Sequence, residues 1–194
     1  MTTAREQMSS VDTAWLRMEG PASHMTIGVV LIFEDQLPLV QLREVLQERL
    51  LRFDRFRQKV VRHDIRAWWE EDSHFSIYNH LTTVALDDPD DKQCLQDVAS
   101  KLMNTGLDFT HPLWHMHYIE NFQSGSALII RIHHCIADGM SLVRLLLSLT
   151  DAEADPASIA LSNDKPTAGA RNQHHEGLWD MLTHPSHLKT LAEN

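Results

Sequence analysis

Cysteine is scarce in this chain: two residues in 194, Cys94 and Cys135, leave no disulfide framework. Positive charge is short as well, with 17 Lys and Arg against 27 Asp and Glu and a formal charge of −10. Nucleic-acid binding needs a dense basic footprint, so that class of partner is argued against. No apolar run is long enough to cross a bilayer, and the start Met1-Thr2-Thr3-Ala4-Arg5-Glu6 lacks the apolar stretch of a secretory signal. A cytoplasmic location is the resulting expectation. Gly-x-Ser-x-Gly, His-Glu-x-x-His and paired Cys-x-x-Cys patterns are missing, which removes sequence support for a serine hydrolase or a metal centre. His115 and His117 would share one strand face, and His133, His134 and Asp138 are potential ligands. With thirteen histidines in the chain such coincidences are expected, and no metal site is assigned.

What is present fits one globular α/β domain with a mixed order of elements and no regular βαβ alternation. Ile27 to Phe33 reads as a strand. Pro38 suits a helix start, with Leu39, Leu42, Val45, Leu46 and Leu50 at helical spacing. Ala67 to Trp69 and Phe75 to Tyr78 are short extended candidates. Asp88-Pro89-Asp90 opens a second helix whose stripe is Leu95, Val98, Ala99 and Leu102, with Gly106 beyond its end. Leu113 to Ile119 and Ala127 to Ile132 form a strand pair around Gln123-Ser124-Gly125-Ser126. Met140 to Leu149 has helical length. Residues 1–150 are read as one lobe, 151–173 as a linker or crossover, and 174–194 as a short helical tail.

The most informative segment is His133-His134-Cys135-Ile136-Ala137-Asp138-Gly139, between the strand ending at Ile132 and the leucine-rich helix. A strand end projects side chains into a cleft from a rigid scaffold, and imidazole exchanges protons near neutrality. Adjacent strand residues face opposite ways, so one histidine is the base and the other its support. Asp138 would fix the loop by an ion pair or a helix cap, and Gly139 would let the backbone turn tightly. Cys135 reads as a packed thiol rather than a nucleophile.

His-His-x-x-x-Asp-Gly at such a junction resembles the active-site motif of the CoA-dependent acyltransferase superfamily, which includes chloramphenicol acetyltransferase and peptide-synthetase condensation domains. Further segments are similar to one branch, the bacterial wax ester synthase/acyl-CoA:diacylglycerol acyltransferases. These are Ser9-Ser10-Val11-Asp12-Thr13-Ala14-Trp15-Leu16-Arg17-Met18-Glu19, then Phe53 to Lys59, Trp68-Trp69-Glu70-Glu71-Asp72, and His111-Pro112-Leu113-Trp114. They run in family order from about residue 8 to about residue 150.

The resemblance implies a chloramphenicol acetyltransferase-like half, a mixed sheet with flanking helices, that transfers a fatty acyl group from acyl-CoA to a long-chain alcohol or diacylglycerol. His134 would be the general base, His133 would position the loop, and Arg57 would pair with Asp138. Pro112, Leu113 and Trp114 would shape the acyl channel or the packing between lobes, with an ordinary buried-core role as the alternative. Acyl-CoA enters as substrate, with no resident cofactor. Family members resemble two such halves in tandem, so a second acyltransferase lobe is an expected partner, and contact with the inner membrane or lipid inclusions is a further expectation. Arg43, Arg49, Arg52, Arg55, Arg57, Lys59, Arg62 and Arg66 concentrate positive charge. This is either a solvated helix face followed by a polar strand, or a surface that meets anionic lipid or the phosphates of CoA. Two alternatives to the enzyme stay open: a catalytically silent lipid- or partner-binding half, and a condensation-type acyltransferase acting on a carrier-protein thioester.

Overall fold

The computed structural model describes residues 5–150. The segments 151–173 and 174–194 assigned above lie outside the described residues. By its contacts the chain divides into one unit, Met1–Met140, and a second, Ser141–Asn194, whose described part is the run Ser141 to Thr150.

The first unit is organised around β7 (Gly125–His133), in which all nine residues are buried. A strand with both faces covered requires a continuous apolar run, and Ala127-Leu128-Ile129-Ile130 supplies it. On one side β7 pairs antiparallel with β2 (Thr26–Phe33), from Thr26 opposite His133 to Phe33 opposite Ser126. On the other it pairs antiparallel with β6 (Trp114–Phe122), which in turn pairs parallel with β5 (Leu81–Thr83). The order β2-β7-β6-β5 is a mixed sheet. The β6–β7 turn places Gln123 at φ 53°, and a Cβ on Gly125 would stand 2.0 Å from the Phe33 carbonyl oxygen. Glycine is therefore what lets β2 run so close to this turn.

Helix α3 (Lys92–Met103) starts where the Asp91 carboxylate accepts the Gln93 N–H at 2.9 Å. Its Leu95, Val98, Ala99 and Leu102 join Leu86, Ile119, Phe122, Ala127 and Ile129 in one apolar cluster. The stripe read from spacing is thus the face the helix buries, and full burial of Leu95 contributes about 2 kcal/mol. Helix α2 (Leu39–Val45) has Pro38 at its cap, where a missing N–H costs nothing, and loosens into a π turn over Leu46–Leu50. A second sheet, order β1-β4-β3, is built from β1 (Arg5–Gln7), β3 (Gln58–His63) and β4 (Arg66–Glu71). Helix α1 (Ser10–Met18) is capped by Ser9, whose Oγ accepts the Asp12 N–H at 3.1 Å. Helix α4 (Gly139–Leu149) begins at the end of the first unit. No helix among the described residues is long and apolar enough to cross a membrane.

Phe75 to Tyr78 is not a strand. The Asp72 carboxylate accepts the His74 N–H at 3.0 Å and the Asp72 carbonyl accepts the Phe75 N–H, a turn that breaks the extended run before the 3-10 turn Ile77–Asn79. Helix α1 and strands β1 and β5 have no counterpart among the elements read from the sequence.

Candidate active site

Trp15 and Glu19 lie four residues apart at the end of α1, the spacing that puts two side chains on one face. Each meets one histidine of the motif. Trp15 stacks on the His134 ring with centroids 4.3 Å apart and planes 16° from parallel. Glu19 Oε2 stands 3.5 Å from His133 Nε2. The main chain holds the pair from both neighbouring strands. His133 N–H donates to the Leu113 carbonyl at 3.0 Å, and His134 N–H donates to the Met25 carbonyl at 2.8 Å.

The two rings have different chemistry. His133 is buried, and its Nδ1 accepts the Cys135 N–H at 3.0 Å. A ring nitrogen that accepts has no proton, so in the neutral ring Nε2 carries it, toward Glu19. Burial pushes the His133 pKa down to about 4, with the Glu19 charge acting in the opposite direction. Its lone pair is occupied by the backbone, and it serves as the loop's support. His134 is half-buried, and burial lowers its pKa while the Asp138 charge opposes the shift. It is neutral at pH 7 and therefore able to accept a proton. Its Nδ1 is buried with no hydrogen-bond partner among the described residues.

Glu19 is the residue that the sequence reading quoted without giving it a role. Its carboxylate accepts the Met25 N–H, lies 2.8 Å from His24 Nδ1, and faces His133. Burial works against its ionisation, but the Met25 N–H and the His24 ring outweigh it and hold the pKa below the ordinary carboxylate value. One ionised side chain thus joins α1, β2 and the end of β7. The signal was available: Ser9-x-x-Asp12 is a helix start, and Trp15 and Glu19 follow on one face.

Three readings need correction. Arg57 does not direct its guanidinium at Asp138. Nη2 pairs with Asp54 at 2.7 Å, Nε with Glu71 at 3.2 Å, and Nη1 donates to the Leu51 carbonyl, so it ties down the start of β3. Gly139 has no left-handed φ, and among the described residues nothing lies within 4 Å of where its Cβ would be, so this turn does not require glycine. Pro112, Leu113 and Trp114 are all buried within this lobe. Trp114 Nε1 donates to the Phe56 carbonyl at 2.9 Å, and its ring stacks on His80 at 4.5 Å. The segment is core, and its contribution to the site is the Leu113 carbonyl that receives His133 N–H. Cys135 is buried, and burial pushes its thiol pKa far up, which leaves it inert.

His115 and His117 do share a face of β6. Their rings stack at 4.3 Å, and both lie 3.1 Å from Thr82 Oγ1. Among the described residues no group of three or more His, Cys, Asp or Glu could hold a metal ion. Burial drives both pKa values to about 4, and the buried Arg131 charge adds to the effect. With His133, three histidines are neutral in the fold and titrate near 6.5 when unfolded. The unfolded chain binds more protons between these values, so stability is full above about 6.5 and is lost as pH falls toward about 4. Thermal unfolding should show Tm falling by several degrees from pH 7 to pH 5, with a flatter slope in His117→Gln. A Tm independent of pH over this range would contradict neutral burial.

With this geometry in place, comparison with known proteins gives the family. Residues 8–193 match the wax ester synthase/diacylglycerol acyltransferase catalytic domain. The chain belongs to this family. A putative diacylglycerol O-acyltransferase of Mycobacterium tuberculosis is 31% identical over 182 residues, which are 90% of this chain and 40% of that protein. Wax ester synthase/diacylglycerol acyltransferase 3 of Arabidopsis thaliana is 29% identical over 89% of this chain and 35% of its own length. The chain therefore spans about 40% or less of these two family members. Among solved structures, the family enzyme from Marinobacter aquaeolei VT8 superposes with a TM-score of 0.58 at 23% identity, over 72% of this chain and 37% of that one. The starter condensation domain of rhizomide synthetase gives 0.62 at 15% identity, over 75% of this chain and 34% of that one. The mixed sheet and its flanking helices are thus the chloramphenicol acetyltransferase-like fold expected from the motif.

Proposed function

We propose that this family member carries the proton-transfer half of an acyl-CoA-dependent O-acyltransferase site, acting on a long-chain alcohol or diacylglycerol. The observation that carries the reading is the unlike pair at the end of β7. His133 has its lone pair committed to the Cys135 N–H, while His134 is neutral and clamped between the Trp15 ring and the Met25 carbonyl.

In this reading His134 takes the acceptor hydroxyl proton as its oxygen attacks the thioester carbonyl. A C–O bond forms, the C–S bond breaks, and the proton passes from His134 to the departing CoA sulfur. No acyl-enzyme is required, because alcohol and thioester react directly once both are held at the base. Glu19 keeps the His133 tautomer and so the loop, acting as a positioning residue. Acyl-CoA is substrate, with no resident cofactor assigned. A second lobe of the kind that makes up the rest of the longer family members would complete the acyl channel. Peripheral contact with a membrane or lipid inclusion would deliver the apolar acceptor.

The test is formation of labelled wax ester or triacylglycerol from labelled acyl-CoA, using the full chain with and without a separately produced second lobe from a family member. Ester formation that depends on His134 is expected. Its absence under both conditions would contradict the reading.

A further inference from the structure

A cavity of about 210 Å3 lies between the end of α1 and the β3–β4 hairpin, and its wall carries Arg17, Arg62 and Arg66. Two of these guanidiniums are tied across the gap. Arg17 Nη2, from the helix, donates to the Ile65 carbonyl at 2.6 Å, and Arg62 Nη2, from the hairpin, donates to the Leu16 carbonyl at 3.3 Å. The ties fix where the cations stand, and each guanidinium has five N–H donors, more than its tie uses. Arg62 also lies over the Phe109 ring at 4.5 Å, and Phe109 stands edge-on to His133 at 5.9 Å.

Two carboxylates share the wall, Glu19 and Asp64. Glu19 is engaged by the Met25 N–H, His24 and His133, and Asp64 lies 3.0 Å from His63 Nδ1 at the exposed hairpin tip. Three permanent cations therefore face two acids that have partners of their own. The result is a concave, cross-tied, net positive site on a chain whose overall charge is strongly negative. Guanidinium forks match the oxygens of a phosphate group, and a cavity of this volume admits one. Glu19 stands on the boundary, one of the residues lining the cavity and the one facing His133.

We propose that the Arg17–Arg62–Arg66 cavity is a phosphate-binding subsite beside the histidine loop. Two phosphate bearers have the chemistry to fill it: CoA, whose assignment here rests on the acyltransferase reading, and an anionic lipid headgroup. The long basic run from Arg43 to Arg66 contributes only its last two arginines to this site. Arg57 is committed to Asp54 and Glu71, and the Arg55 side chain is paired with Glu6.

The test is a set of binding titrations of the full chain with inorganic phosphate and CoA, followed by 31P NMR, and with phosphatidylglycerol vesicles, followed by sedimentation. The variants are Arg66→Glu, which leaves both cross-ties in place, and Arg62→Gln. Wild-type protein should bind phosphate, and the variants should weaken that binding at least about tenfold. A parallel loss for CoA alone assigns CoA as the source, and a loss for vesicles alone assigns the headgroup. Wild-type protein that binds none of the three ligands, or folded Arg66→Glu with unchanged affinities, would overturn the proposal. Acyl transfer is measured separately: if it is absent while phosphate binding responds to the variants, the enzyme reading fails and the subsite stands.

Discussion

His134→Ala is expected to lower acyl transfer by about 10²–10⁴-fold, the contribution of a positioned general base, while the lobe stays folded. The ring is half-buried, stacked on Trp15, and held in place by a main-chain bond from its own N–H that alanine keeps. Little core volume is lost. His133→Ala acts differently, because it strands the Cys135 N–H and removes a partner of Glu19. An unpaired buried donor costs about 1–3 kcal/mol, so that variant should lose stability and part of its activity through a displaced loop. Labelled-ester formation and thermal unfolding measured on the same samples separate the two effects. A folded His134→Ala protein with wild-type turnover would remove His134 from the mechanism.

Trp114→Ala is expected to destabilise the lobe by about 3–5 kcal/mol, the range for deleting a large aromatic from a packed core. Its ring is 1% exposed, stacked on His80 and edge-on to Phe56, and its N–H is satisfied by the Phe56 carbonyl. Denaturant unfolding should show the loss as a lower midpoint with an unchanged slope. A channel-lining tryptophan would instead change acyl-chain preference at nearly unchanged stability, and that outcome would contradict a core role for Trp114.

The long central strands and α3 were legible because burial on two faces and on one stripe writes different periods into the sequence. Ala127 to Ile130 is continuously apolar, whereas Leu95, Val98, Ala99 and Leu102 recur at helical spacing. The histidine loop was legible as a motif, since seven consecutive residues supply both rings and the turn. Its support was harder to read. Trp15 belongs to, and Glu19 caps, a nine-residue helix whose exposed Val11 and Met18 blur its apolar stripe. Arg57 illustrates the limit for ion pairs: Asp54, three residues before it, is a local partner, but Glu71 becomes one only once β3 and β4 are paired. Pro112-Leu113-Trp114 shows the same limit for apolar residues, because a core position and a channel wall call for the same side chains. β5 is three residues long, too short for any period to register.

The most direct measurement is the pH dependence of kcat/KM for acyl transfer in the wild type and in His134→Ala, across the range in which both remain folded. A base must be unprotonated to work, so activity is lost as pH falls through its pKa. Burial places that pKa below the ordinary 6.5. The account predicts an acid limb with an apparent pKa under 6.5 in the wild type and no such limb in the residual activity of His134→Ala. An acid limb at or above 6.5, or one that survives the substitution, would contradict it.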